Sequence, residues 1–445
     1  MRSGEAAPSG IAAIVNPTVI PRSEHVISRA NISENALKVL YRLKNAGFQA
    51  YLVGGGVRDL LLGREPKDFD VATDARPEQV RDVFRNCRLI GRRFRLAHVH
   101  FGQEIIEVAT FRGIRADEDA AADDHQTENG MLLTDNVYGS IEEDALRRDF
   151  SVNALYYNIE DFSVIDYADG MADLKSGVLR LLGDPEQRYR EDPVRMLRAA
   201  RFAAKLGFRL DPATEAPVTR LAPLLAEVPP ARLFDEMLKL FLSGTAVTAF
   251  EILRQHELFA QLFPDTEAAL AHEEHDFPLT LVLKGLENTD LRVGEDKPVT
   301  PAFLFAVLLW EPVRRLAEQL EARGVATHPA LQQAATEIIE RQISRVALPR
   351  RFSVPMREIW LLQPRFALLR GKRPQRTAAH PRFRAAYDFL VLRAAAGEAD
   401  PELVSWWSDF QAGAAPAVAA PASRGAPSGR RRRRRRKPRK DLPAT

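Results

Sequence analysis

Two aspartates one residue apart, Asp68 and Asp70 in "KDFD", follow three successive glycines, Gly54–Gly56 in "LVGGGVRD". In a strand, side chains at i and i+2 share a face, so these carboxylates would project side by side while Phe69 turns to the core. Carboxylates that close repel each other unless a cation sits between them. Hard, oxygen-seeking Mg²⁺ fits such a pair and is commonly shared with substrate phosphates. An isolated D-x-D is more often two solvated acids near a strand end, so the pair gains weight only beside the glycines. A glycine turn leading into a helix presents backbone N–H groups to an anion, and Arg58 in the first turn adds a donor. Neither G-x-G-x-x-G nor G-K-[ST] is present, which removes the dinucleotide-fold and P-loop readings. What remains is a phosphate cradle next to a metal-binding pair, set against a plain turn.

A two-metal site commonly uses a third carboxylate. Glu107 in "EIIEVATF" falls on the polar face of an alternating strand, and Asp149 in "RRDFSVNALYY" follows Arg147 and Arg148. An Arg–Asp pairing could equally be a structural ion pair, and spacing alone does not choose. The second dense cluster is "REDPVRMLRAARFAAKLGF". Asp192 can cap this helix, and Pro193 suits its first position. Arg195, Arg198 and Arg201 recur every three residues opposite Val194, Leu197 and Ala204. Glu191 or Asp192 can pair with Arg195 at helical spacing. The stripe is either an ion-paired surface or a triphosphate-binding face on which an acid–arginine pair reads a nucleobase edge. No H-E-x-x-H, G-x-S-x-G or Cys/His cluster competes, and Cys87, the sole cysteine, reads as buried or inert.

The elements that would position these residues begin with a helix over "ENALKVLYRLKNA", capped by Ser33 and ended by Gly47. Strands follow at "FQAYLV", "DFDVAT", "RLIG", "RLAHVHFG" and "EIIEVATF", with short helices over "VRDLLL" and "PEQVRDVF". Residues 113–140 are polar, with an acidic stretch at 116–124, and read as a long loop without an assigned role. A helix through "EEDALRRDF" and strands "LYYNI" and "SVIDY" complete a mixed α/β head; from about residue 186 helical periodicity dominates.

The fold class is therefore α+β: a small mixed-sheet head, an all-α body and a disordered basic tail. The expected divisions are an irregular segment 1–32, a head 33–183, a helical neck 184–245, an all-α body 246–411 and a linker with tail 412–445. The 445 residues, 45% hydrophobic and 28% charged, suffice for several cores. No apolar run is long enough to span a bilayer. The N-terminus is a poor signal peptide, and one cysteine excludes an internal disulfide, which fits a reducing cytoplasm. From Arg424 onward stand eleven Lys/Arg and one Asp, whereas the rest of the chain carries 52 Lys/Arg against 59 Asp/Glu. Arg430, Arg431, Arg432, Arg433, Arg434, Arg435, Arg436, Lys437, Arg439 and Lys440 form a run suited to bidentate phosphate contacts and counterion release. A solvated, solubilising run is the bland alternative.

In order, "LVGGGVRDLLLG", "KDFD", "RRDFSVNALYY", "DYADGMADLKSGVLRLLG" and "EDPVRMLRAARFAAKLGF" resemble the nucleotidyltransferase family shared by bacterial poly(A) polymerases and CCA-adding tRNA nucleotidyltransferases. The resemblance covers roughly 35–245 and would make the head catalytic and the body RNA-binding. "LIGRRFRLAHV" and the arginine-rich tail point to the poly(A) polymerase branch. It implies template-independent addition of AMP from ATP to RNA 3′ ends of mRNA and small RNAs, promoting turnover, with two Mg²⁺ ions. By the same resemblance Asp68 and Asp70 hold the metals, and Asp149, or else Glu107, is the third carboxylate. Gly54, Gly55, Arg58 and Arg148 contact triphosphate or ribose, Asp192 and Arg195 read the base, and Arg198 and Arg201 reach phosphates. CCA addition, and a non-catalytic RNA-binding protein on the same fold, are the alternatives.

Overall fold

Strand propensity and helical periodicity alternate along the first half of the chain, and a single sheet collects the strands. The computed structural model describes residues 16–91, 95–113, 137–271, 273–274, 277–278 and 280–413. The expected acidic loop at 116–124 and the tail contacts at 430–440 lie outside them. The head strands are β1 (Thr18–Ile20), β2 (Ala50–Val53), β3 (Asp70–Thr73), β4 (Cys87–Ile90), β5 (Leu96–Phe101), β6 (Glu104–Thr110), β7 (Leu155–Asn158) and β8 (Val164–Asp166). They form one sheet in the order β1-β8-β7-β2-β3-β6-β5-β4. The β3–β6 seam is parallel, while β2 pairs antiparallel with β3 and β7.

Helices α1 (Glu34–Asn45), α2 (Gly55–Leu61), α3 (Pro77–Val83) and α4 (Ile141–Arg147) complete the head. Ser33 caps α1 by accepting from the Asn35 and Ala36 amides, and the helix buries Ala36, Val39, Leu40 and Leu43, one face at i, i+3, i+4 and i+7 spacing. That face packs with Leu52 and Val71 of the sheet. The alternate residues Val53 and Ala72 pack on the other side with Ala145 of α4, Phe111, Tyr156 and Tyr167. Asp70, two before Ala72, therefore projects to the α4 side.

Three expectations need correction. Thr18–Ile20 is not irregular: this β-branched run between Pro17 and Pro21 adds an edge strand antiparallel to Val164–Asp166. The strand expected from Asp68 starts at Asp70, leaving Asp68 exposed in the loop before it. The helix expected through Asp149 stops at Arg147, because Arg148 turns extended with ψ 167. Asp149 thus sits in the turn beyond α4.

Beyond the head come α5 (Gly170–Ser176), α6 (Pro185–Glu191) and α7 (Val194–Leu206), then a run of helices from Pro230–Phe241 to Pro401–Gln411. One apolar core runs from Phe150 through Leu392, so the borders expected at 183/184 and 245/246 are not breaks in packing. A smaller core around Trp407, Phe366 and Phe383 closes the C-terminal end of the described chain. Among the described residues no helix is long and apolar enough to cross a membrane.

Candidate active site

The site begins at the end of β2. Gly54 follows Val53 with φ 70 and ψ −138, a conformation that a side chain would strain. A Cβ there would lie 3.5 Å from Arg148 Nη1 and 3.7 Å from Asp70 Oδ2, so glycine turn, arginine and carboxylate share one corner. Gly56 packs against the Asp68 carbonyl, where a Cβ would come within 3.3 Å, which docks the Asp68 loop beside the turn.

Asp70 is directly paired with Glu107 across the β3–β6 seam, and Glu107 with His98 across β6–β5. His98 Nε2 lies 3.3 Å from Glu107 Oε2. Asp70, Glu107, Arg95, Arg112, Tyr138 and Arg148 line one pocket. Burial, then the Glu107 charge, with a smaller contribution from Asp68, pushes the Asp70 carboxyl up to about 6 despite the nearby Arg148. Such repulsion among oxygen donors is relieved by a divalent cation. Among the described residues no three His, Cys, Asp or Glu side chains preassemble a metal cage. The donor set fits an ion whose coordination shell is completed by phosphate oxygens, the usual habit of Mg²⁺.

Arg148 is anchored from behind. Its Nε and Nη2 donate to Asp144 Oδ2 at 3.2 and 3.0 Å, and Nε also to the Tyr156 hydroxyl at 2.9 Å. Tyr156 donates to the same Asp144 oxygen at 2.6 Å. Asp144 also accepts from the Arg112 amide at 3.1 Å.

Asp149 faces elsewhere. Arg198 Nε and Nη2 donate to its Oδ2 at 2.9 and 2.5 Å, and Asn153 and the Phe150 amide donate to Oδ1. Burial alone would raise its pKa, yet the Arg198 guanidinium and these donors hold it well below the usual carboxylate range. Geometrically, Glu107 rather than Asp149 stands beside Asp70.

The arginine stripe of α7 is ion-paired throughout. Arg195 binds Glu191 at 3.0 Å, Arg198 binds Asp149, and Arg201 lies 4.0 Å from Glu236. Asp192 accepts from Arg232 at 2.7 Å. Arg58, expected to meet phosphate, is buried: it donates to Asp59 and, at 2.6 Å, to Asn153. It also lies 5.2 Å over the Phe202 ring, which Arg198 and Arg201 flank at 5.4 and 4.6 Å. Arg58 therefore braces the glycine turn from beneath instead of facing an open cleft.

Sequence reasoning missed Asp144, Tyr156, Asn153 and Arg188. Arg188 Nη2 donates to the Arg147 and Arg148 carbonyls at 2.7 and 2.8 Å, pinning the turn that carries Asp149. The i, i+4 spacing of Asp144 and Arg148 was the available signal for the first of these.

The chain is 54% identical to poly(A) polymerase I of Escherichia coli O6:H1 over 408 residues, spanning 90% of this chain and 87% of that protein. It belongs to the poly(A) polymerase family. Haemophilus influenzae poly(A) polymerase I is 50% identical, with 88% of each chain covered. Family models agree: a poly A polymerase head domain at 50–180, a probable RNA and SrmB-binding site of polymerase A at 207–270, and a polymerase A arginine-rich C-terminus at 323–441. The CCA-adding enzyme of Lactobacillus helveticus is more distant, 34% identical over 58% of this chain and 65% of that protein. Among solved structures, a CCA-adding enzyme in its apo form II superposes with TM-score 0.57 at 20% identity, covering 92% of both chains. The first solved tRNA-processing enzyme complex matched has TM-score 0.55 at 23% identity, covering 84% of this chain and 90% of that one. These likenesses carry the head-and-body fold expected from the residues. Membership in the family implies a nucleotide substrate and a divalent metal.

Proposed function

We propose that the chain adds AMP from ATP to RNA 3′ ends without a template, and that the Gly54–Asp70–Glu107–Arg148 corner is where the transfer occurs. The observation that carries the placement is the register pairing of Asp70 with Glu107, beside a glycine turn and an anchored arginine. The identity of 50–54% with poly(A) polymerases, against 34–38% over shorter spans for CCA-adding enzymes, carries the choice of reaction.

In this reading the RNA 3′-hydroxyl oxygen forms a bond to the α-phosphorus, the bond to the β-phosphate bridging oxygen breaks, and pyrophosphate departs. Two Mg²⁺ ions, when bound, supply the lowering of the hydroxyl pKa and the neutralisation of leaving charge. Asp68, exposed in the loop before β3, and Asp70 would hold them, with Glu107 as third carboxylate. Gly54, Gly55 and Gly56 let the triphosphate approach the backbone, and Arg148 directs Nη1 toward it. Asp192 and Arg195 choose adenine, each oriented by its own partner, Arg232 or Glu191. Arg198 and Arg201 add positive potential from the neck, and Asp149 holds Arg198 there. The substrates are 3′ ends of mRNA and small RNAs in the cytoplasm, retained by the 430–440 cations.

The test is incubation of the purified chain with a generic RNA primer, Mg²⁺ and each nucleoside triphosphate in turn. Long tails from ATP alone are expected. Incorporation of CTP and ATP limited to a tRNA lacking its terminal triplet would overturn the choice of reaction, and no incorporation at all would overturn the enzymatic reading.

A further inference from the structure

Arg148 has three donor nitrogens and a long flexible stem, and it stands at the corner occupied by Asp70 Oδ2. An unrestrained guanidinium so placed would close onto that carboxylate, since a bidentate Arg–Asp pair is among the strongest contacts open to either group. No Arg148–Asp70 ion pair is present among the described residues; the ion pair that Arg148 makes is with Asp144. Two of its nitrogens are spent on Asp144 and Tyr156, both buried. Tyr156 is in turn fixed by its own bond to Asp144 and by the register of β7, where it stands opposite Val53, the residue before Gly54. Only Nη1 reaches the corner.

We infer that Asp144 and Tyr156 are positioning residues: they hold Arg148 close enough to present Nη1 to an incoming anion, yet keep its fork off Asp70, so that this carboxylate stays available to a divalent cation. The inference rests on the proposed active site and adds to it. The same arginine that would welcome triphosphate is a rival of the metal for Asp70, and the buried Asp144–Tyr156 pair settles that rivalry. Asp144 is suited to this task because it is already ionised: burial opposes its charge, but Arg148 and Arg112 outweigh it and lower its pKa. Its other oxygen binds the Arg112 amide, so the clamp is tied to the end of β6 as well as to α4.

The experiment measures Mn²⁺ affinity of the full chain directly, by the paramagnetic signal of free ion without nucleotide, alongside AMP incorporation at varied ATP. Tyr156→Phe removes one hydroxyl and is the mild variant; Asp144→Asn releases the fork more fully. Both are expected to weaken Mn²⁺ binding, by about three- to tenfold for the loss of such hydrogen bonds, and to raise the KM for ATP. Adding Arg148→Met to Asp144→Asn removes the rival cation, so Mn²⁺ affinity should return while the KM for ATP stays raised. Tyr167→Phe, which removes a hydroxyl from the same aromatic cluster, should change neither. Equal Mn²⁺ affinity in wild type and folded Tyr156→Phe, undetectable binding in both included, overturns the inference. So does a weakened affinity that Arg148→Met fails to restore. Absence of AMP incorporation by the wild type would instead sink the underlying function, so the two failures are distinguishable.

Discussion

Asp70 and Glu107 stand directly opposite each other across the parallel seam of the head sheet, with His98 continuing the row on the next strand. The side chains of such a pair share one face, which makes Glu107 the carboxylate best placed to share a cation with Asp70. Glu107→Gln keeps the shape and removes the charge. It is expected to lower kcat for AMP incorporation on the order of a hundredfold while leaving the melting temperature almost unchanged. Near-normal kcat in single-turnover assays would remove Glu107 from the site.

Asp149 should behave differently. Its loss strands Arg198, whose carboxylate partner it is across the head–neck junction. Asp149→Ala should therefore destabilise the whole chain, by about 2–3 kcal/mol for breaking a largely buried pair. The folded pKa lies below the ordinary one, so this contribution is present above about pH 4 and is lost only as pH falls further. Thermal unfolding of wild type and variant from pH 3 to 7 would reveal it. A variant with unchanged stability but no activity would return Asp149 to direct chemistry.

How much of this was legible beforehand depends on the range of the interaction. The glycine turn, the Ser33 cap and the alternation that places Glu107 on a polar face are local patterns, and the structure keeps them, whereas the D-x-D spacing does not become a strand pair because β3 starts only at Asp70. The pairing of Asp70 with Glu107 needs two strands to meet in parallel across an excursion through α3, β4 and β5, and nothing local fixes that register. Arg58 misled because a basic residue after a glycine turn resembles a phosphate ligand until Asp59 and Asn153 are seen to bury it. The α7 stripe had a correct periodicity and a hidden set of partners, drawn from α6, the Asp149 turn and the helix Pro230–Phe241.

The carboxyl of Asp70 gives a pH signature. Its pKa in the folded metal-free protein, about 6, lies above the ordinary 3.8. Protonation therefore favours folding, and that contribution is full below about pH 3.8 and lost as pH rises through 6. Asp70→Asn should be more stable than the metal-free parent at pH 7.5, by at most about 3 kcal/mol, and should gain nothing at pH 4. Mg²⁺ should raise the melting temperature of the parent but not that of the variant. A variant no better than the parent at pH 7.5 would contradict the crowded-carboxylate picture.

A second crowded pair lies far from the site. Burial and a shared hydrogen bond with Glu311 push the Glu398 carboxyl up to about 8, while Trp310 Nε1 donates to it at 2.9 Å. The raised value means that its stabilising contribution fades between about pH 4.5 and 8. Glu398→Gln retains the acceptor for Trp310 and cannot ionise. It should flatten the decline in melting temperature between pH 5 and 8, by about 2 °C or more. Parallel curves for parent and variant would show that the proton is not shared.

The grip of Arg188 on the Arg147 and Arg148 carbonyls also bears on modularity. The turn that aims Arg148 inward and Asp149 toward α7 is shaped by a residue of α6, outside the sheet altogether. A chimera made by grafting this sheet onto another enzyme's helices would inherit Asp70 and Glu107 but not the fastening that orients their neighbours. The smallest transplantable unit therefore extends through α7, and exchange of parts within such proteins should respect that seam rather than the edge of the sheet.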